Sequence, residues 1–230
     1  MDERAQKILE AAVQEFIDTG EPVSSGWLYD NFDFGIKPAM IRLELEKLAE
    51  EGLLEQPYHS AGRIPTNDGY EFFAEKMLSF IPSEFPAFFR NLQILFEEEV
   101  WSDLVGSISE ELGVFGALGD RRERQIYKEG LENLVENLEW RTKDELAGII
   151  KDCEEVDKKI NQLAGRISRG EPQVFIGKKN PVIRSENVSV IVEAYNRNGD
   201  RVVLLTVGPK RMDYKKAIKI FRSLNTNERR

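Results

Sequence analysis

Residues 55–70 read EQPYHSAGRIPTNDGY, and their pattern is the clearest indication of how the N-terminal part of the chain folds. Two short extended pieces, 53–56 and 63–66, flank residues 59–62, which are of the types found in turns. This order predicts a β-hairpin. Asn67 or Asp68 then stands where a residue would cap a following helix, so we expect the hairpin to lead directly into one.

Two helices are predicted upstream of this hairpin. Gly20 stands where a left-handed residue would end the first of them. Ser24 or Ser25 is placed to cap a second, short helix, which we expect to bury Leu28 and Phe32. The first helix has an apolar stripe at helical spacing, formed by Ile8, Leu9, Ala12, Val13, Phe16 and Ile17.

A third helix is predicted between Pro38 and Gly52. Proline is favoured in the first turn of a helix because its missing N–H has no partner there, and glycine is favoured just beyond the last turn. Three helices followed by a β-hairpin are typical of a winged helix-turn-helix. We therefore expect a winged-helix DNA-binding domain over residues 1–80. The inner face of its third helix is Ile41, Leu45 and Leu48.

A Pro-Ser pair at residues 82–83 predicts a domain boundary. Beyond it we expect one domain over residues 83–230, which begins with helical patterning. The helical regions are 84–112 and 128–166. The short GALG stretch at 116–119 matches no nucleotide-binding motif and is interpreted as a turn.

The C-terminal part of the chain changes to strand patterning, so the expected fold class is α+β. Asn198-Gly199 is a strong signal for a type I′ hairpin between two strands. Asp213 is placed to cap a closing helix that ends near Ser223, with Tyr214 packed beneath it. The alternative is that this group forms a ligand or chaperone surface. The predicted strands are 173–177, 188–195 and 201–207.

The chain has 230 residues, 41% of them hydrophobic, which supports a packed core. Its net charge is −9, and the charge is unevenly distributed. Residues 1–70 hold six Lys and Arg against fourteen Asp and Glu, a net charge of −8. Because Lys and Arg supply most nonspecific affinity for DNA, the few basic residues of the candidate DNA-binding domain must be well placed.

One cysteine, Cys153, and one histidine, His59, exclude an internal disulfide and a zinc site built from paired cysteines. They also leave little for nucleophilic or metal chemistry. No apolar run is long enough to cross a bilayer, and no secretory signal is recognisable. We therefore expect a cytoplasmic protein that is not an enzyme, has no cofactor or metal, and does not contact a membrane.

Four motifs resemble the HrcA family of bacterial transcription repressors of chaperone operons. GEPVSS at 20–25 and GRIPT at 62–66 fit the N-terminal pattern of that family closely. IGKKNP at 176–181 resembles its I-G-x-x-N-P segment, and GPKRMDY at 208–214 resembles its G-P-x-R-M-D-Y signature. Two independent pairs of motifs in the right order indicate a shortened member of the family.

The resemblance is close over residues 3–75 and 171–224 and loose between them, where this chain is shorter than the family. It implies a reduced GAF-like C-terminal domain with regulatory and dimerisation roles. It also implies a homodimer that binds an inverted-repeat operator in double-stranded DNA, and a chaperonin that keeps the repressor active. The implied function is sequence-specific repression of heat-shock genes.

The predicted recognition helix departs from the family pattern. The family reads SSATIRNDM where this chain reads KPAMIRLEL at residues 37–45, so that Ala39, Ile41 and Arg42 persist. Small hydroxyl and amide side chains that reach base edges are therefore absent. The arginine of the family's second helix is also missing from SSGWL at residues 24–28. We expect the preferred operator to differ from the family's inverted repeat.

The candidate DNA contacts lie on the third helix and in the hairpin. Arg42 is placed to donate two hydrogen bonds to a guanine edge, with an i,i+4 ion pair to Glu46 as the alternative. Lys37 is expected at a phosphate, and Arg63 along the minor groove or its phosphates, unless the hairpin tip makes no contact. The predicted set is Lys37, Ala39, Met40, Arg42, Leu43, His59, Ser60, Gly62 and Arg63.

Two other functions stay open. A winged helix that has lost strong DNA binding and contacts a protein, such as chaperonin, would account for the −8 net charge of residues 1–70. A small-molecule sensor built on the GAF-like domain is the third reading. For the homodimer, the helical regions offer apolar candidates whose alternative role is to cover the C-terminal sheet. These candidates are Phe88, Leu92, Leu95 and Phe96.

Overall fold

The structure, a computed structural model, describes residues 1–79, 87–163, 165–167 and 170–225. The chain divides into two compact units, Met1–Lys76 (unit 1) and Met77–Arg230 (unit 2). The boundary predicted at residues 82–83 lies outside the described residues. No helix in the described part of the chain is long and apolar enough to cross a membrane.

Unit 1 is built from helices and a short antiparallel hairpin. The helices are α1 (Glu3–Thr19), α2 (Ser25–Asn31), α3 (Pro38–Glu50) and α4 (Asn67–Ser79), whose last turn belongs to unit 2, and the strands are β1 (Leu54–Glu55) and β2 (Ile64–Pro65). The helix ends follow the expected chemistry. Asp2 accepts a hydrogen bond from the Ala5 N–H at 2.8 Å, Ser24 caps α2, and Gly20 ends α1 with a φ of 75°.

The apolar faces of the first three helices form the core of unit 1, and its most completely buried members include Ile8, Leu9, Val13, Leu28, Ile41 and Leu48. Burying a side chain of this size contributes about 1.5–3 kcal/mol. The prediction that Phe32 is buried is wrong, because 42% of this residue is exposed. The helix α2 ends at Asn31 and the backbone becomes extended at Phe32, which directs the ring toward Trp27 and Phe34 instead of the core.

The hairpin passes into α4 through Thr66. The Thr66 hydroxyl accepts a hydrogen bond from the Gly69 N–H at 3.1 Å and donates one to the Gly52 carbonyl at 2.6 Å. Thr66 therefore caps α4, one residue before the predicted Asn67 or Asp68. Glycine is needed at position 69, since a Cβ there would lie 2.1 Å from the carbonyl oxygen of Leu53.

Unit 2 is a five-stranded antiparallel sheet with helices packed on both faces. Its helices are α5 (Ala87–Glu97), α6 (Trp101–Leu112), α7 (Leu131–Asn137), α8 (Lys143–Glu154), α9 (Val156–Leu163) and α10 (Tyr214–Ser223). Its strands are β3 (Phe115–Asp120), β4 (Gln125–Glu129), β5 (Gln173–Ile176), β6 (Val188–Arg197) and β7 (Asp200–Pro209). The strand order is β4-β3-β7-β6-β5.

Helices α7, α8 and α9 cover one face of this sheet, and α6 and α10 pack on the other. Burial of both faces explains the almost continuous apolar run in β6.

The GALG stretch is a buried central strand, so its interpretation as a turn is wrong. Gly116 and Gly119 lie in β3 and point to opposite faces of the sheet. A Cβ at Gly116 would lie 2.6 Å from Ser109 Oγ of α6, and one at Gly119 would lie 2.5 Å from Ile160 Cγ2 of α9. These glycines let helices approach the sheet closely, a role that local turn propensity does not reveal.

The hairpin and closing helix at the C-terminal end agree with the sequence. Asn198 and Gly199 have φ values of 51° and 86° between β6 and β7, as a type I′ turn requires. Asp213 accepts a hydrogen bond from the Lys216 N–H at 2.9 Å and caps α10. Tyr214 is fully buried, and its hydroxyl lies 2.6 Å from Ser189 Oγ.

The apolar face of α5 packs within its own unit. Leu92 and Phe96 are 0% and 5% exposed, and the Phe96 ring contacts those of Trp101 and Tyr195 with centroids 5.6 Å and 5.1 Å apart. The expectation that Leu92 and Phe96 contact a second copy is therefore wrong, because α5 packs against α6 and α10, and Phe96 also reaches Tyr195 of the sheet. Phe88 and Leu95 are half-buried.

Candidate nucleic-acid interface

Helix α3 presents an exposed face made of predicted site residues. Its inner residues Ile41, Leu45 and Leu48 are buried, which fixes the rotation of the helix. The opposite face carries large apolar side chains in the open, since Met40 is 45% and Leu43 is 47% exposed. Both side chains are therefore available for contact with a partner. The other predicted residues exposed here are Lys37, Ala39 and Arg42.

The tip of the β1–β2 hairpin is a tight turn. The Ala61 N–H donates to the Tyr58 carbonyl at 2.9 Å, which places His59 and Ser60 at the exposed centre of the turn. The amide of Gln56 donates to the carbonyls of both His59 and Ala61, at 3.0 Å and 2.9 Å. Gln56 was not among the predicted site residues, and its amide can bridge the two carbonyls because it has two N–H donors.

The hairpin is fixed to the segment that precedes α2. The Val23 N–H donates to the Arg63 carbonyl at 2.9 Å, and the Arg63 N–H donates to the Val23 carbonyl at 2.8 Å. Gly62 makes this approach possible, because a Cβ there would lie 2.4 Å from the Val23 carbonyl oxygen. The backbone around Arg63 is therefore held in one position relative to α2 and α3.

A cleft of about 370 Å³ lies between α3 and the hairpin, and we call it the α3–hairpin cleft. It brings together five of the predicted residues, namely Arg42, His59, Ser60, Gly62 and Arg63. The predicted residues that do not line it are Lys37, Ala39, Met40 and Leu43. Residues that sequence reasoning did not assign to the site also line it, among them Ser24, Ser25, Glu46 and Gln56.

The two arginines of the cleft differ in their partners. Arg42 Nε lies 3.2 Å from Glu46 Oε1 in an i,i+4 pair, with 76% of the Arg42 side chain exposed. The ion pair considered as the alternative for Arg42 is therefore present. Arg63 Nε is buried and has no hydrogen-bond partner among the residues that the structure describes. A buried N–H of a guanidinium without an acceptor is unfavourable, so the cleft has unused capacity for an acceptor.

A second exposed surface lies where α2 leads into α3, and we call it the aromatic surface. Tyr29 and Phe32 are 48% and 42% exposed, and Phe32 stacks on Phe34 with centroids 5.7 Å apart. Asp30 and Asp33 are exposed beside them and line the same depression of about 480 Å³. This combination of rings and carboxylates suits a cationic partner better than a phosphate.

The comparisons with known proteins find HrcA proteins. The family described as the HrcA protein C-terminal domain matches residues 73–218. The heat-inducible transcription repressor HrcA of Desulfitobacterium hafniense is 51% identical over 78 residues, 34% of this chain and 23% of that protein. The HrcA repressor of Carboxydothermus hydrogenoformans is 42% identical over 112 residues, 49% of this chain and 31% of that protein. The matched segments thus span less than a third of these relatives.

One solved structure has the same fold over nearly the whole chain. It is a crystal structure, at 2.2 Å resolution, of a protein described as hypothetical. The TM-score is 0.73 at 16% sequence identity, with 98% of this chain and 96% of that chain covered. At this identity the likeness supports the fold and carries no function. The family match over more than half of the sequence decides the assignment, and the chain belongs to the HrcA family.

Proposed function

We propose that this chain is a sequence-specific DNA-binding repressor of heat-shock genes, acting in the cytoplasm, and not an enzyme. Residues 1–80 are the winged-helix DNA-binding domain in this proposal, and residues 83–230 are the reduced GAF-like regulatory and dimerisation domain. The relatives' name, heat-inducible transcription repressor, supports the regulated process. The observation that carries the proposal is the α3–hairpin cleft, which two arginines from separate elements line.

The proposed docking places α3 in the major groove and the hairpin against the backbone. Arg42 then leaves Glu46 and donates to a guanine edge and to the adjacent phosphate, and Lys37 at the start of α3 contacts a second phosphate. Met40 and Leu43 are exposed and apolar, so they contact thymine methyl groups. The remaining contacts are backbone-directed ones from the hairpin, by His59, Ser60, Gly62 and Arg63.

A homodimer on a two-fold operator is part of the same proposal. Unit 1 carries a strong excess of acidic residues, so a single copy binds one half-site weakly. Two linked copies combine their binding free energies, less the free energy needed to hold both in register. Leu92 and Phe96 are buried inside unit 2, so of the α5 candidates the half-buried Phe88 and Leu95 remain for pairing the two copies. In such a dimer the centres of the two half-sites lie one helical turn of DNA, or a multiple of it, apart.

Selection of bound sites from random duplex DNA tests the proposal, followed by affinity measurements across a salt series. We expect an inverted repeat to be enriched and the logarithm of the affinity to fall linearly with the logarithm of salt concentration. Enrichment of no sequence, together with an affinity that does not change with salt, would refute it.

A protein-interaction module is the second candidate, and the aromatic surface favours it. Tyr29 and Phe32 are exposed next to Asp30 and Asp33, an arrangement unsuited to DNA. In this candidate unit 1 binds a basic segment of a protein such as chaperonin instead of an operator. Substituting Tyr29 and Phe32 by Ser separates the two candidates, because DNA binding would persist and chaperonin binding would be lost.

A further inference from the structure

The α3–hairpin cleft contains an unusual set of donors for such an acidic unit. Arg42 of α3 and Arg63 of the hairpin both line it, and the hydroxyls of Ser24, Ser25 and Ser60 lie around them. Guanidinium groups and hydroxyls are the side chains that bind phosphate oxygens, with arginine able to donate two parallel hydrogen bonds. The cleft therefore has the composition of an oxyanion site.

Arg63 is held in place without an acceptor for its Nε–H. Its backbone N–H and carbonyl are both paired with Val23, at 2.8 Å and 2.9 Å, which holds the backbone of this residue at the edge of the cleft. Its Nε is buried and makes no hydrogen bond to any residue in the described part of the chain. Native proteins rarely leave a buried charged donor unsatisfied, so an acceptor from outside the chain is expected here.

Arg42 has an acceptor from inside the chain. Its Nε lies 3.2 Å from the Glu46 carboxylate, and both residues line the cleft. A carboxylate next to the cleft competes with any incoming anion in two ways. It occupies the Nε–H of Arg42, and its charge repels a second negative group.

We propose that the α3–hairpin cleft binds one phosphate-type oxyanion, and that Glu46 lowers the affinity of this site by holding Arg42. The oxyanion is either a phosphate group of a nucleic-acid backbone or free phosphate. Binding of a nucleic-acid phosphate rests on the proposed function, whereas binding of free phosphate does not. Glu46 is thus an intramolecular competitor, because a phosphate must displace its carboxylate from Arg42. In this way Glu46 sets the affinity of the DNA-binding surface.

The first test is a titration of the ¹⁵N-labelled full chain with inorganic phosphate, observed at the Arg63 Nε–H resonance. Potassium chloride at the same ionic strength is the control for screening. Glu46→Gln is compared with Glu44→Gln, a matched variant on α3, because Glu44 also pairs with a basic residue, Lys47 at 3.1 Å, but does not line the cleft.

We expect phosphate and not chloride to shift the Arg63 resonance. We also expect Glu46→Gln to raise the phosphate affinity about fivefold, the upper range for an exposed ion pair, and Glu44→Gln to leave it unchanged.

The second test repeats the comparison with a duplex that the chain binds. Tighter DNA binding by Glu46→Gln than by Glu44→Gln assigns the oxyanion to the DNA backbone. A phosphate response without DNA binding assigns it to free phosphate, and the proposed function then fails while the site stands. The proposal is overturned if the Arg63 resonance ignores phosphate or if the two glutamine variants behave alike, whatever the chain does with DNA.

Discussion

The substitution Gly62→Ala tests how the hairpin is positioned. An alanine Cβ at this position would lie 2.4 Å from the Val23 carbonyl oxygen, 2.5 Å from the Val23 carbonyl carbon and 2.7 Å from the Pro22 carbonyl oxygen. All three atoms belong to backbone, so no side-chain rotation relieves the contact. The hairpin must therefore separate from the segment before α2 or remain strained.

Both responses have similar magnitudes. Separation breaks the two hydrogen bonds between Val23 and Arg63, which contribute about 0.5–1.5 kcal/mol each. Retaining them against the overlap costs about 1–3 kcal/mol, as overpacking of one methyl group does elsewhere. Because one response replaces the other, we expect the free energy of unfolding of unit 1 to fall by about 1–3 kcal/mol.

Hydrogen exchange at the Val23 and Arg63 amides measures this effect locally, and urea unfolding measures it for the unit. Gly26→Ala is the matched control, because a Cβ in this position of α2 meets only Ser24 Oγ at 3.8 Å. Alanine in a helix is favoured over glycine by about 1 kcal/mol at most, so this variant should be neutral or stabilised. If Gly62→Ala exchanges and unfolds like Gly26→Ala, the hairpin does not depend on the close approach to Val23.

Four further predictions concern binding, pH and assembly. Arg42→Ala and Arg63→Ala should each weaken operator binding without unfolding the chain. For Arg42→Ala we expect a loss of about 1–3 kcal/mol in binding free energy and weaker base discrimination at one operator position. If both variants bind with wild-type affinity and wild-type salt slopes, the proposed docking is wrong. The preferred operator should contain thymines opposite the exposed Met40 and Leu43, and competition against the family's usual operator tests this. Burial raises the pKa of Glu193 to about 8, so the free energy of unfolding should fall as pH rises toward 8. Urea unfolding of Glu193→Gln should show no such fall. Light scattering should give twice the monomer mass of 26.4 kDa, and a monomer with and without DNA would remove the dimer.

The elements that local chemistry determines were predictable from the sequence. Pro38 at the start of α3, the alternation of extended and turn residues around 59–62, and Asn198-Gly199 each act through their own backbone preferences. Such preferences do not depend on what packs against the segment. The sequence therefore predicted the position of α3 and of the hairpin, and with them five of the residues that line the α3–hairpin cleft.

The features that depend on distant partners were not predictable in the same way. Gly116 and Gly119 resemble turn residues, and only the close approach of α6 and α9 shows why a strand needs them. The apolar stripe of α5 identified Leu92 and Phe96 as contact residues but not the surface that they contact. The pattern of an amphipathic helix predicts that its apolar face is covered. Which surface covers that face depends on the tertiary fold.

The charge of unit 1 constrains how it can bind DNA. The basic residues among the predicted DNA contacts are Lys37, Arg42 and Arg63, so together they neutralise about three phosphates per copy, and a salt slope of about −3 per copy follows. A contribution of this size supports weak nonspecific binding and leaves discrimination to base contacts and to the second half-site. The acidic background then has a physical role, because it suppresses binding to DNA that offers phosphates without the matching base edges. Glu46 acts in the same sense at closer range, since a phosphate must displace its carboxylate from Arg42 before the cleft is filled.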